Sequence, residues 1–85
     1  MIATVYFLKS KEETIDIMAG MEVDQTFLFV DKNGLGSRVT YHGGAKGWQV
    51  EFLRNILVAG PGDNFVVPLA ELVDGMQVNL TEQDT

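Results

Sequence analysis

Four consecutive apolar residues, Phe27-Leu28-Phe29-Val30, run directly into Asp31-Lys32-Asn33-Gly34, and this junction constrains the fold more than any other part of the chain. In an extended segment successive side chains point to opposite faces, so Phe27 and Phe29 line one face and Leu28 and Val30 the other. Asn-Gly then signals a tight hairpin whose two central residues take positive φ. The pattern predicts a strand over residues 23–31, a turn at Asn33-Gly34 and a returning strand from Arg38 to Tyr41.

Eighty-five residues of 46% apolar content, without cysteine, can build one small core and no second one. Disulfides and thiolate metal sites are excluded as supplements. That leaves good packing, or burial against a second copy of the chain, and self-association is an open expectation on that ground. A single domain over residues 1–80 with a polar tail at 81–85 is expected. The opening Met-Ile-Ala-Thr-Val-Tyr-Phe-Leu-Lys lacks the basic region and cleavage site of a signal peptide, and no apolar run reaches the roughly 18 residues of a membrane span. A cytoplasmic location without membrane association follows as the default.

Ile2 to Leu8 is rich in β-branched and aromatic residues, as a buried strand requires. Ser10-Lys11-Glu12-Glu13 reads as a capping box that starts a helix over residues 11–19, with a strand through Thr14, Ile15, Asp16 and Ile17 as the rival. Ile15, Met18 and Ala19 form its apolar face, and Gly20 serves as its C′ residue. Residues 48–58 are ambiguous: Trp48, Val50, Phe52, Ile56 and Val58 fit a two-residue period broken at Arg54, whereas Trp48, Phe52, Ile56 and Ala59 fit a helical face, with Gly60-Pro61 as its stop. Residues 64–67 read as a strand, residues 69–73 as a short helical turn, Asp74-Gly75 as a turn and residues 76–80 as a last strand. The class is α+β, an antiparallel sheet with one or two helices. A helix over residues 46–58 gives a ferredoxin-like β-α-β-β-α-β plan, which is favoured; an extended segment there gives a small SH3-like or other β-barrel.

Charge singles out residues 32–54, where Lys32, Arg38, Lys46 and Arg54 face Glu51 alone, within a chain of net charge −6. The same stretch holds the single histidine, the single tryptophan and five glycines. Glycines let backbone N–H groups approach an anion, so Arg38, His42, Gly43, Gly44, Lys46 and Gly47 form a candidate site for a small anionic ligand such as a nucleotide. The spacing is not that of a P-loop or a dinucleotide fingerprint. Asp31 to Gly36 imitates the start of a calcium loop but has Leu35 at its fifth position and His42 at its twelfth, so a plain turn is the better reading. If the strand from Arg38 runs on through His42, Ser37 and His42 fall on its opposite faces, a poor geometry for a hydrolytic pair. Glu51 reads as a solvent-facing residue beside Arg54. Lys46-Gly47-Trp48-Gln49-Val50-Glu51-Phe52, together with Val5-Tyr6-Phe7-Leu8, resembles strand segments of the RNA-recognition motif, which would imply base stacking. Gln49 and Val50 depart from that pattern, where a small residue and a second stacking aromatic belong, and no family is assigned.

No catalytic constellation, metal set or cofactor motif emerges. The sequence therefore predicts a small acidic non-enzymatic binding module, an inhibitor or adaptor that engages another protein, anchored by Tyr41, Trp48 and Phe52. Capture of a small anionic ligand by the glycine-rich segment is the alternative. Acidic mimicry of nucleic acid, through Asp63, Glu71 and Asp74, is the third reading; nucleic acid itself is not an expected partner of so acidic a chain.

Overall fold

A computed structural model describes residues 2–54, 56–59, 64–66 and 69–80. The chain order is β1 (Ile2–Phe7), α1 (Lys11–Ala19), β2 (Thr26–Val30), β3 (Gly36–Gly43), a 3-10 turn (Gly44–Lys46), β4 (Gly47–Leu53), β5 (Leu57–Ala59), β6 (Asn64–Val66), a second 3-10 turn (Leu69–Glu71) and β7 (Gln77–Asn79). Five strands form a mixed sheet in the order β4-β3-β2-β1-β7, and β5 and β6 pair as a separate ribbon. β1 and β2 are parallel, as a crossover through α1 allows; β2-β3, β3-β4 and β1-β7 are antiparallel. The molecule is thus a small α+β domain of one helix and a five-stranded mixed sheet.

The apolar run in β2 explains why it is central. All five of its residues are buried, and its two faces feed two different cores. Leu28 and Val30 join Ala3, Val5, Leu53, Ile56, Leu72, Val78 and Leu80 on one side. Phe27 and Phe29 join Met21 and Val39 on the other, beneath Ile17 and Met18 of α1. Thr26, the buried polar residue of the strand, is satisfied by a 3.0 Å hydrogen bond between its hydroxyl and that of Thr40.

The β2–β3 hairpin forms where Asn33-Gly34 predicts it, but by another turn. Gly34 takes φ +82° while Asn33 stays at negative φ. The Asp31 carboxylate explains the difference: its Oδ1 accepts the Asn33 N–H at 2.8 Å and the Leu35 N–H at 2.9 Å, while the Asp31 carbonyl accepts the Gly34 N–H at 3.0 Å. A side chain that holds two backbone donors fixes a longer loop than a two-residue turn. Asp31→Ala is expected to lower stability by about 1–2 kcal/mol, read from urea unfolding, since two donors lose a charged acceptor. A cost no larger than that of Lys32→Ala would show the loop to be set by Gly34 alone.

α1 occupies residues 11–19 as its cap predicts, with the Ser10 hydroxyl accepting the Glu13 N–H at 3.1 Å. Two details differ from expectation. Gly20 ends the helix at φ −88° rather than in a left-handed conformation, its N–H shared among the carbonyls of Asp16, Ile17 and Met18. The residues turned to the sheet are Ile17 and Met18, while Ile15 stays 55% exposed.

The ambiguous stretch resolves as extended chain: Gly47–Leu53 is β4, and no helix forms over residues 47–53. The helix on which the ferredoxin-like plan rested is therefore not present there, and its proposed stop at Gly60-Pro61 lies outside the described residues. At the other end, Asp74 and Gly75 make the expected turn, with Gly75 at φ +86°. The Asp74 carboxylate accepts the Phe7 N–H at 2.9 Å and the Gly75 N–H donates to the Val5 carbonyl at 2.7 Å, which locks β7 beside β1.

Candidate functional site

The β3–β4 hairpin carries nearly every residue that the sequence singles out, and its alternation divides them between two faces. Tyr41, Trp48, Val50 and Phe52 lie on the side that α1 covers, in register with Val39 and Phe27. Arg38, Gln49 and Glu51 lie on the other, and His42 joins them through a 2.8 Å contact of its Nε2 with the Gln49 Oε1. The candidate protein anchors are thereby on the opposite side of the sheet from Arg38 and His42, while the other candidate anion ligands, Gly43, Gly44, Lys46 and Gly47, lie in and beside the 3-10 turn.

Arg38 is not opposite an empty space. Its guanidinium forms an ion pair with Glu51, directly across the strand pair, and only 11% of the arginine side chain is exposed. Glu51, expected simply to face solvent beside Arg54, is instead engaged by Arg38 and partly covered. A carboxylate already in the guanidinium's fork competes with any incoming anion. Lys46 stands exposed in the 3-10 turn, beyond the stretch of β3 from Arg38 to Gly43, about 16 Å of extended chain.

The glycines between them answer a geometric demand. Gly43 has φ +84°, ψ +152° and Gly47 has φ +64°, ψ −141°, conformations that essentially only glycine adopts. They flank the 3-10 turn and reverse the chain from β3 into β4. The Tyr41 hydroxyl accepts the Gly44 N–H at 3.2 Å and thereby takes one of the turn's donors.

The apolar side of the hairpin is different in kind. Tyr41 and Trp48 stack across the strands with ring centroids 4.8 Å apart, and the Trp48 indole N–H donates to the Met18 carbonyl at 3.3 Å. Held in this way, Trp48 still leaves 43% of itself exposed, Val50 follows at 48% and Phe52 at 82%. A groove of about 220 Å³ opens between Trp48 and the helix residues Ile15, Met18 and Ala19. The apolar face predicted for α1 is therefore the helix wall of this groove. Among the described residues β4 pairs with β3 alone, so its outer edge offers backbone donors and acceptors beside the apolar row.

Other readings find less. Among the described residues no group of three or more acidic, histidine or cysteine side chains is placed to hold a metal ion, and no helix is long and apolar enough to cross a membrane. Of the acidic trio, Asp74 is engaged with the Phe7 backbone, Glu71 is exposed and Asp63 lies outside the described residues. No protein-family model matches the chain, and neither the curated proteins nor the solved structures yield a match.

The site residues that sequence reasoning missed are Val50 and Ile15. Val50 completes the exposed row, and the two-residue period through Trp48, Val50 and Phe52 was the signal for it.

Proposed function

We propose that the chain is a non-enzymatic binding module, an inhibitor or adaptor, that engages another protein chain through β4 and the groove beside it. One observation carries this reading: Phe52 is 82% exposed at the end of an apolar row that shares with an apolar groove a sheet edge unpaired among the described residues. Monomeric proteins normally cover or charge such an edge, and a contiguous apolar strip beside unpaired backbone marks a contact surface. Backbone hydrogen bonds along β4 would supply affinity, and the side chains entering the groove would supply selectivity. An open sheet rather than a closed barrel belongs to the same reading, because β4 and β7 stand at opposite ends of the strand order.

The test is affinity capture with three baits, followed by quantitative mass spectrometry. Wild-type protein and the Lys46→Glu variant are expected to retain the same protein in stoichiometric amounts, and Phe52→Asp to lose it at least tenfold. Phe52 is too exposed for its replacement to unfold the domain. Retention that depends on Lys46 and not on Phe52 would transfer the site to the glycine-rich turn and overturn the proposal.

A further inference from the structure

The order of residues along β4 names the partner: we infer that the surface proposed above receives a second copy of this chain, paired antiparallel along β4 about a two-fold axis at Val50. The inference rests on the β4 reading and adds its occupant. Pairing of a strand with itself about an axis normal to the sheet keeps each face with the same face, so residues directly opposite differ by an even number. An axis at Val50 sets Val50 opposite Val50 and Trp48 opposite Phe52 of the second copy, twice over. Shifting the axis to Glu51 would oppose two carboxylates and set Trp48 against Arg54. Shifting it to Gln49 would leave Phe52 opposite Lys46 of the 3-10 turn rather than opposite a side chain of β4.

The Val50 register solves two problems with one contact. Phe52 is an almost fully exposed aromatic ring, and Trp48 borders an apolar groove. These two features lie on the same face of the same strand, symmetric about Val50. A two-fold axis there carries each ring to the Trp48 end of the other copy, where the groove begins. An isologous interface requires self-complementarity of this kind, a projection and a recess exchanged by the axis. On the opposite face Gln49 meets Glu51 of the second copy, whose charge its own Arg38 already balances. Within Gly47–Leu53 there is no lysine or proline of the kind that keeps edges apart, and the register shift of the hairpin lies at its turn end, between Tyr41 and Gly43 of β3.

The register also creates one cost that identifies it. Lys46 and Arg54 flank β4, so this register brings Lys46 of each copy towards Arg54 of the other and like charges meet at the rim. Dimerisation is therefore expected to strengthen as salt rises, and Lys46→Glu, which turns the repulsion into attraction, is expected to tighten it several-fold at low salt. A surface association driven by opposite charges would show the reverse dependence.

Sedimentation equilibrium and oxidative cross-linking test the inference together. Wild-type protein is expected to reach twice the 9.4 kDa chain mass in a concentration-dependent manner, and Phe52→Asp to remain monomeric. The chain has no cysteine, so a single introduced thiol can join only to another copy. Val50→Cys is expected to form a disulfide-linked dimer under a mild oxidant, since the axis places residue 50 beside itself. Val73→Cys, exposed near the opposite edge of the sheet, is the control that stays monomeric. A monomeric wild type at high micromolar concentration, a dimer indifferent to Phe52→Asp, or equal cross-linking of both thiols would overturn the second copy as occupant. A monomer that still captures a different protein in a Phe52-dependent way would overturn this inference alone. A monomer whose captured proteins ignore Phe52 would end the β4 reading as well.

Discussion

Replacing Leu28 by alanine is expected to cost about 2–5 kcal/mol and to lower the melting temperature by roughly 10–30 °C. The reason is position rather than hydrophobicity as such. Leu28 is fully buried at the centre of β2, opposite Val5 on one side and Arg38 on the other, in the cluster that also takes Val30, Leu53, Ile56 and Leu72. Truncation removes the transfer free energy of its methyl groups and leaves a space that neighbours on two strands cannot close without moving the sheet. An 85-residue domain has only on the order of 5–10 kcal/mol of stability in total, so the variant should sit near the edge of folding at 37 °C. Phe52→Ala provides the contrast: a larger side chain, but one already in solvent, whose loss should change monomer stability by less than about 0.5 kcal/mol. Leu28→Ala should be measured in the Phe52→Asp background and Phe52→Ala at several protein concentrations, because any self-association would add apparent stability by mass action. A Leu28→Ala cost below that of exposed-site substitutions would mean that the two-core arrangement around β2 is wrong.

Much of this architecture is readable in the chain, and the unreadable part has a physical cause. The β2–β3 hairpin, the helix over residues 11–19 with its Ser10 cap and the turn at Asp74-Gly75 were all legible, because each depends on local chemistry that a few neighbouring residues specify. The turn type at Asp31 was not, since the choice between two glycine-compatible loops was made by a carboxylate two residues before the Asn-Gly pair. Residues 48–58 defeated periodicity because an edge strand with one exposed apolar face has the composition of an amphipathic helix. The decisive information is non-local: β3 presents Arg38 where β4 brings Glu51, and Val39 where it brings Val50. Once the reversal is centred on Gly44 and Ala45, those pairs can be counted from the sequence. The candidate anchors Tyr41 and Trp48 proved to be stacked neighbours, and Phe52 lies four residues further along the same face of β4. The candidate anion ligands were split between a paired arginine, a backbone turn and one exposed lysine, because glycines mark conformations as often as they mark ligands.

The glycines of that turn yield the second large expected effect. Gly43→Ala should destabilise the domain by about 2–3 kcal/mol, Gly47→Ala by a similar amount and Gly44→Ala by about 1 kcal/mol. The ranking follows from backbone angles and space. At Gly43 the angles of +84° and +152° are closed to residues with a Cβ, and that Cβ would also stand 3.0 Å from a Val23 methyl group. Gly47, at +64° and −141°, has the same conformational demand with open space around it. Gly44, at φ +49°, lies in the milder left-handed range and also has nothing within 4 Å. The steric part at Gly43 should be the smaller share, because Val23 is exposed and can turn away. Val23→Ala should therefore recover only a few tenths of the Gly43→Ala loss in a double-mutant cycle, and a full recovery would show the contact, not the angle, to dominate. Trp48 offers an independent reading as the single tryptophan of the chain. It follows Gly47 directly and stacks on Tyr41, so a turn forced into other angles should shift its emission, while Gly44→Ala leaves it unchanged. If Gly44 proved the costliest of the three, the turn would be under a constraint that its backbone angles do not contain, and a ligand held by its N–H groups would regain its claim.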